Sequence, residues 1–111
     1  MKHEMKLQNE PFVAIKNRTK TIEMRLYDEK RKLVNLGDII EFTNITTGEK
    51  ITAQVERLYL YPSFEELYKN HNKIDLGYKQ NEIASPKDMS KYYPQEEQEK
   101  FGVVGIKIKL I

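Results

Sequence analysis

The run Lys16-Asn17-Arg18-Thr19-Lys20-Thr21-Ile22-Glu23-Met24-Arg25-Leu26 constrains the fold more than any other part of this chain. It holds four cations and one carboxylate, yet Ile22, Met24 and Leu26 fall at alternate positions. Successive side chains of an extended strand point to opposite sides. A strand over 21–26 therefore sends Ile22, Met24 and Leu26 into a core. Thr21, Glu23 and Arg25 share the other face, with Lys20 at the entry. Two readings of that charged face stand. One is a ligand-binding edge, a single acid pinned between cations. The other is an ordinary half-exposed strand whose Glu23–Arg25 pair contributes little in water.

With 111 residues the chain is read as one domain, 1–111, with a single core. It contains no cysteine, which excludes disulfide staples, thiolate zinc sites and a cysteine nucleophile and fits a reducing cytoplasm. No apolar run approaches the roughly 20 residues a bilayer span needs, so no membrane partner is expected. The charged Met1–Lys6 stretch has no apolar segment behind it, unlike a signal peptide. The net charge of +2 is too small to argue for nucleic acid by itself. Its distribution says more: residues 14–32 hold seven Lys or Arg against three acids, whereas 85–101 hold three Lys against four acids. The basic excess surrounds the opening run, where an anionic partner would explain it.

In order along the chain, a first strand is predicted over 3–7. A helix follows, capped by Asn9 with Pro11 in its first turn, and ends near 17–18, where Lys16, Arg18 and Lys20 suit the negative end of the helix dipole. After the strand at 21–26 come a charged connection, a helical turn over 33–36 and a Gly37-Asp38 turn into a strand at 39–43. Residues 46–49 form a hairpin loop. A long strand over 51–61 changes apolar phase near Glu56-Arg57, which predicts a bulge or bend. Ser63 with Glu66 has the capping-box spacing and opens a helix. Residues 72–84 read as a polar loop with few anchors, Ser85-Pro86 as the start of a short helix, and 95–100 as a hydrophilic turn. A final strand covers 102–110. The pattern predicts an α+β fold: a compact β-barrel of mixed or antiparallel strands flanked by short helices.

His3 and His71 stand far apart with no His-x-x-His partner, so no metal site and no cofactor is expected; Glu96, Glu97 and Glu99 read as a solvated acidic turn. The five glycines never group into a phosphate-cradling loop. Ser63 and Ser85 look like caps rather than nucleophiles. The seven tyrosines suit both half-buried packing and stacking on bases. Of the adjacent Tyr92 and Tyr93, one must usually face outward.

Three stretches together carry a resemblance: Lys20-Thr21-Ile22-Glu23-Met24-Arg25, then Gly37-Asp38-Ile39-Ile40-Glu41-Phe42, then Tyr92-Tyr93-Pro94 followed by Lys100-Phe101-Gly102-Val103-Val104-Gly105-Ile106. They resemble the ASCH family of the PUA-like superfamily over nearly the whole chain, in its small single-domain prokaryotic form. The family pattern is Lys-x-x-Glu-x-Arg followed by a Gly-Asp turn into a strand. Arg18 stands where the family usually has Gly, and Phe101 where it has Tyr. The resemblance implies a PUA-like barrel, a cleft lined by the Lys/Glu/Arg motif, and recognition of RNA or a modified nucleoside. It also brings in two activities. One is amide hydrolysis of N4-acetylcytidine by a Lys, a Thr nucleophile and an acid; Lys20 matches the Lys, Glu23 occupies the Thr position, and Asp75 falls near the acid. The other is metal-dependent RNA cleavage.

Three functions are weighed. In an enzyme, a hydrolase acting on an acylated nucleoside, the catalytic residues are Lys20, desolvated at the cleft beside Arg25, Glu23, which activates water as a general base, and Arg25, which holds an anionic group or a developing oxyanion. In a binding module, Lys16, Arg18 and Thr21 extend the cationic footprint, with Tyr61 and Tyr93 as stacking platforms for RNA. In a structural or protein-interaction domain, the trio merely holds the barrel closed. A monomer or weak dimer is expected.

Overall fold

The computed structural model describes residues 1–111. Five strands, β1 (Lys2–Leu7), β2 (Ile22–Leu26), β3 (Ile39–Asn44), β4 (Lys50–Tyr61) and β5 (Val103–Leu110), form one sheet in the order β1-β3-β4-β5-β2. β1 runs parallel to β3, and every other neighbour is antiparallel. The sheet curls into a half-barrel of α+β type, with helices α1 (Asn9–Lys16), α2 (Phe64–Lys69) and α3 (Gln95–Phe101) packed around it. The register shifts between Val55 and Arg57, so the bulge lies where the apolar phase changes. A bulge of this kind bends the strand and deepens its twist. No helix is long and apolar enough to cross a membrane.

Alternation on β2 does something other than separate core from solvent. Glu23 pairs with Ile106 and Arg25 with Val104, whereas Ile22, Met24 and Leu26 pair with Lys107, Gly105 and Val103. Directly opposed residues share a face. Glu23 and Arg25 thus lie on the concave side, together with the Val104 and Ile106 of a twelve-residue core that includes Phe12, Ile15, Ile40 and Phe42. Ile22, Met24 and Leu26 lie on the convex side in a second core with Phe64, Leu67, Leu76 and Val103. The half-exposed strand expected from the pattern is absent: Glu23 is 4% exposed and Lys20 8%. Gly105 makes the convex packing tight, because a Cβ there would stand 3.4 Å from Leu67 Cδ1 of α2.

Several local expectations need correction. Gln8, not Asn9, precedes α1, and no side chain caps it. The Asn9 Oδ1 instead accepts a 3.0 Å hydrogen bond from Asn44 Nδ2. The helical turn placed at 33–36 lies at Arg31–Leu33, where the Asp28 carboxylate accepts from the Arg31 N–H. The hydrophilic turn at 95–100 is α3. Its one buried residue is Gln98, whose Oε1 accepts from the Phe64 N–H and whose Nε2 donates to Tyr93 O. The 72–84 segment has anchors: Leu76 is buried, and the Asp75 carbonyl accepts from both Thr21 and Ile22 N–H groups. Ser63 caps α2 as expected, accepting from the Glu66 N–H, and Ser85 opens a 3-10 helix over Pro86–Lys91.

Candidate functional site

β2 is an end strand of the sheet, so one of its edges has no strand partner. Such an edge presents free backbone N–H and C=O groups. Between this edge and the corner joining β1 to α1 lies a cavity of about 640 Å³. Lys20, Glu23 and Arg25 line it, faced by Asn9 from α1 and by Met89 and Tyr93 from the far wall. That volume falls within the range of small-ligand pockets, roughly 300–1,000 Å³.

The charged trio is one buried network. Lys20 Nζ lies 2.9 Å from Glu23 Oε1, and Arg25 Nη2 lies 2.8 Å from Glu23 Oε2. The Arg25 Nε donates to the same Oε2 at 3.0 Å. Arg25 Nη2 also donates to the Lys6 carbonyl at 3.0 Å, tying β2 to β1, the opposite end of the sheet order. Burial pushes the Glu23 carboxyl up, but Lys20 and Arg25 outweigh it and hold the pKa at about 2. Burial likewise works against the charge on Arg25, while Glu23 and then Tyr93 raise its pKa. Two cations around one anion leave a net positive charge at the cavity floor.

Local backbone geometry aims Lys20 into this network. At the end of α1 the Ala14 carbonyl accepts from both Thr19 and Lys20 N–H groups, wrapping the chain back towards the sheet. The turn needs a left-handed residue, and Arg18 supplies it at φ +66°. The resemblance puts a glycine at this position, and glycine adopts this conformation without strain. Gly77 then lies against the lysine stem: at φ +109° its built Cβ would be 2.9 Å from Lys20 Cδ. A side chain at 77 would displace the lysine.

Of the five residues assigned to binding from sequence, only Tyr93 lines the cavity. Lys16 is exposed and pairs with Glu49 across the surface. Thr21 donates from its hydroxyl to Asp75 Oδ1 at 3.0 Å, so the Asp75 carboxylate is engaged there and not at the cavity. Tyr61 lies beyond β5 from the free edge of β2, with its hydroxyl 2.9 Å from His71 Nε2. Its post-bulge register puts it opposite Val103, on the convex face. Arg18 lines a separate, smaller hollow. Between the two adjacent tyrosines, Tyr92 faces outward, 55% exposed, while Tyr93 stacks on Phe64. Asn9 and Met89 were missed. The polar turn Asn44-Ile45-Thr46-Thr47 was a usable signal for Asn9, because Asn44 Oδ1 accepts from Thr46 and Thr47 N–H groups and its amide is left to hold Asn9. Met89 had none. No three His, Asp or Glu side chains converge as a metal cage.

A family model for the ASCH domain matches residues 5–111, and the chain belongs to that family. Its PUA-like fold is one that often binds RNA. Two solved structures match along their length. The hypothetical protein PH0355 is 35% identical with a TM-score of 0.84, covering 100% of both chains. Protein PF0455 from Pyrococcus furiosus is 36% identical with a TM-score of 0.72, covering 100% of this chain and 98% of that one. An ASCH protein from Zymomonas mobilis shares the fold at 17% identity and a TM-score of 0.68, covering 96% of this chain and 65% of that one. No curated protein matches the chain by sequence.

Proposed function

We propose that this chain is a single-domain cytoplasmic protein that binds RNA or a modified nucleoside in the cavity along the free edge of β2. The observation that carries this reading is the buried Lys20–Glu23–Arg25 network beneath a wall containing Tyr93 and Met89. A net cationic floor attracts phosphate or carbonyl oxygens, and an aromatic wall suits a planar base. Tyr93 has a fixed partner in Phe64, so its ring is held in place before any ligand arrives.

A hydrolytic reading on an acylated nucleoside such as N4-acetylcytidine stands second. It is favoured by a buried lysine at the motif position. Against it, a Glu23 carboxyl held near 2 by two cations is a weak base at neutral pH. A purely structural role stands third, favoured by the Arg25 bond that ties together the two end strands. Metal-dependent cleavage has no converging carboxylate set to support it.

Titration of the protein with cytidine, N4-acetylcytidine and their 5′-monophosphates, followed by NMR shifts, tests the binding reading. Mass analysis of the same mixtures detects any deacetylation. Shifts at Lys20, Arg25 and Tyr93, with affinity falling at least tenfold in Tyr93→Ala, are expected. Turnover that vanishes in Lys20→Ala would move the enzyme reading to first place. No shift with any nucleoside or short RNA would leave the structural role standing.

A further inference from the structure

A second positive region adjoins the cavity. Lys20 also lines a smaller hollow of about 180 Å³, together with Arg18, Thr21, Lys107 and Lys109. Lys107 on β5 is directly opposite Arg57 on β4. Lys107 and Lys109 are two apart on the strand and so share that face. Like charges placed directly across a sheet destabilise it. Such an arrangement normally has an acid nearby to relieve it. Arg18, Arg57, Lys107 and Lys109 take part in none of the molecule's eleven ion pairs, and they differ from other unpaired cations, such as Lys87 and Lys91, in standing together. The one carboxylate in the hollow, Glu56, is itself unpaired and occupies the bulge position. Arg18 holds a left-handed backbone at the same mouth, where glycine would be relaxed.

The geometry points to a polynucleotide, not a free nucleoside, as the ligand, with its phosphate backbone leaving the cavity past Lys20 and crossing the Arg18–Lys107–Lys109–Arg57 patch. This rests on the binding reading above and extends it. Lys20 lines both hollows, and a ligand leaving the cavity past it rounds the start of β2 to reach Lys107, which stands opposite Ile22 on the convex face. The cavity floor and Tyr93 suit one base with its phosphate, and the unpaired cations suit the phosphates that follow it. Strand geometry spaces those cations about 5 Å across the pair and about 7 Å along the strand. A flexible polyanion with regularly repeated charges can follow such a track. An acidic peptide would supply the charges but no planar group for the cavity.

The test compares a mononucleotide, a tetranucleotide and a dodecamer of single-stranded RNA by fluorescence anisotropy or NMR titration, at several salt concentrations. Affinity should rise with length in the wild type. In the Lys107→Gln/Lys109→Gln variant, the gain from mononucleotide to dodecamer should shrink at least tenfold. The slope of log affinity against log salt should fall by about 1.4, at about 0.7 for each single-strand phosphate that is no longer neutralised. The melting temperature should stay at or above that of the wild type, because a like-charge clash has been removed. A dodecamer bound with unchanged affinity and slope in that variant would overturn the proposal, even if Tyr93→Ala confirmed nucleotide binding in the cavity. Length-dependent loss in the patch variant, with no effect of Tyr93→Ala, would keep the patch and sink the cavity reading instead. A polyglutamate of equal charge binding as tightly as the dodecamer would also overturn it, in favour of a protein partner.

Discussion

The two faces of β2 are both largely buried and differently built. On the convex side Ile22, Met24 and Leu26 pack against α2, whose Phe64 and Leu67 are fully buried. Here the driving force is removal of apolar surface from water, at roughly 25 cal/mol per Å². On the concave side the same strand sends Glu23 and Arg25 towards an otherwise apolar core. There the charges tolerate burial only because each is paired. Replacing such a network by apolar groups is often neutral or stabilising, whereas removing one member is costly. That an apolar network could match this one for stability favours the proposed binding role over a purely structural one.

This contrast can be broken experimentally. Leu67→Ala on the convex side and Glu23→Ala on the concave side should each cost about 4 kcal/mol in urea unfolding, the first through a cavity and the second through two uncompensated cations. Only Glu23→Ala should also change ligand affinity in the protein that remains folded. Equal effects of both on binding would erase the distinction between the faces.

Acid sharpens it next. The Glu23 carboxyl sits at about 2 in the folded protein against an ordinary 4.5, so the unfolded chain takes up its proton first. The stabilisation is complete above pH 4.5 and is lost as the pH falls through 2. The loss should approach about 3 kcal/mol and should be missing from Glu23→Gln. Asp38, whose carboxyl is also held at about 2 by His3 and the Asn35 N–H, titrates in both proteins and cancels in the difference.

The smallest expected effect is a gain. Arg18→Gly relaxes the left-handed residue after α1 and should raise stability by about 0.5–1 kcal/mol in thermal or urea unfolding. It should weaken dodecamer binding at the same time. A stability gain with no binding loss would make Arg18 a bystander.

Periodicity and turn chemistry located most elements because each left a local trace: the phase change at Glu56-Arg57, the Ser63 cap, the Gly37-Asp38 turn. α3 left none, since its buried contact is made by Gln98 and a polar residue gives no apolar period. The 72–84 segment looked unanchored because two of its anchors are backbone bonds from Asp75 to Thr21 and Ile22. At the site, the Lys20–Glu23–Arg25 spacing was legible, but its burial was not. Alternation on one strand reports two faces and is silent about what covers each. Tyr61 went to the wrong side of the cavity for a related reason: a bulge reverses facing after it, and sheet order is not written in a single strand.

The pairing of β2 with β5 has a temporal consequence. Residues 22–26 find their only strand partner at residues 103–107, near the other end of the chain. Contacts that distant are slow to form and are made late. A nascent polypeptide that has emerged only as far as Phe101 carries every letter of the Lys-x-x-Glu-x-Arg motif and none of its geometry. Until β5 arrives, the strand that carries Glu23 and Arg25 has no neighbour to hold it.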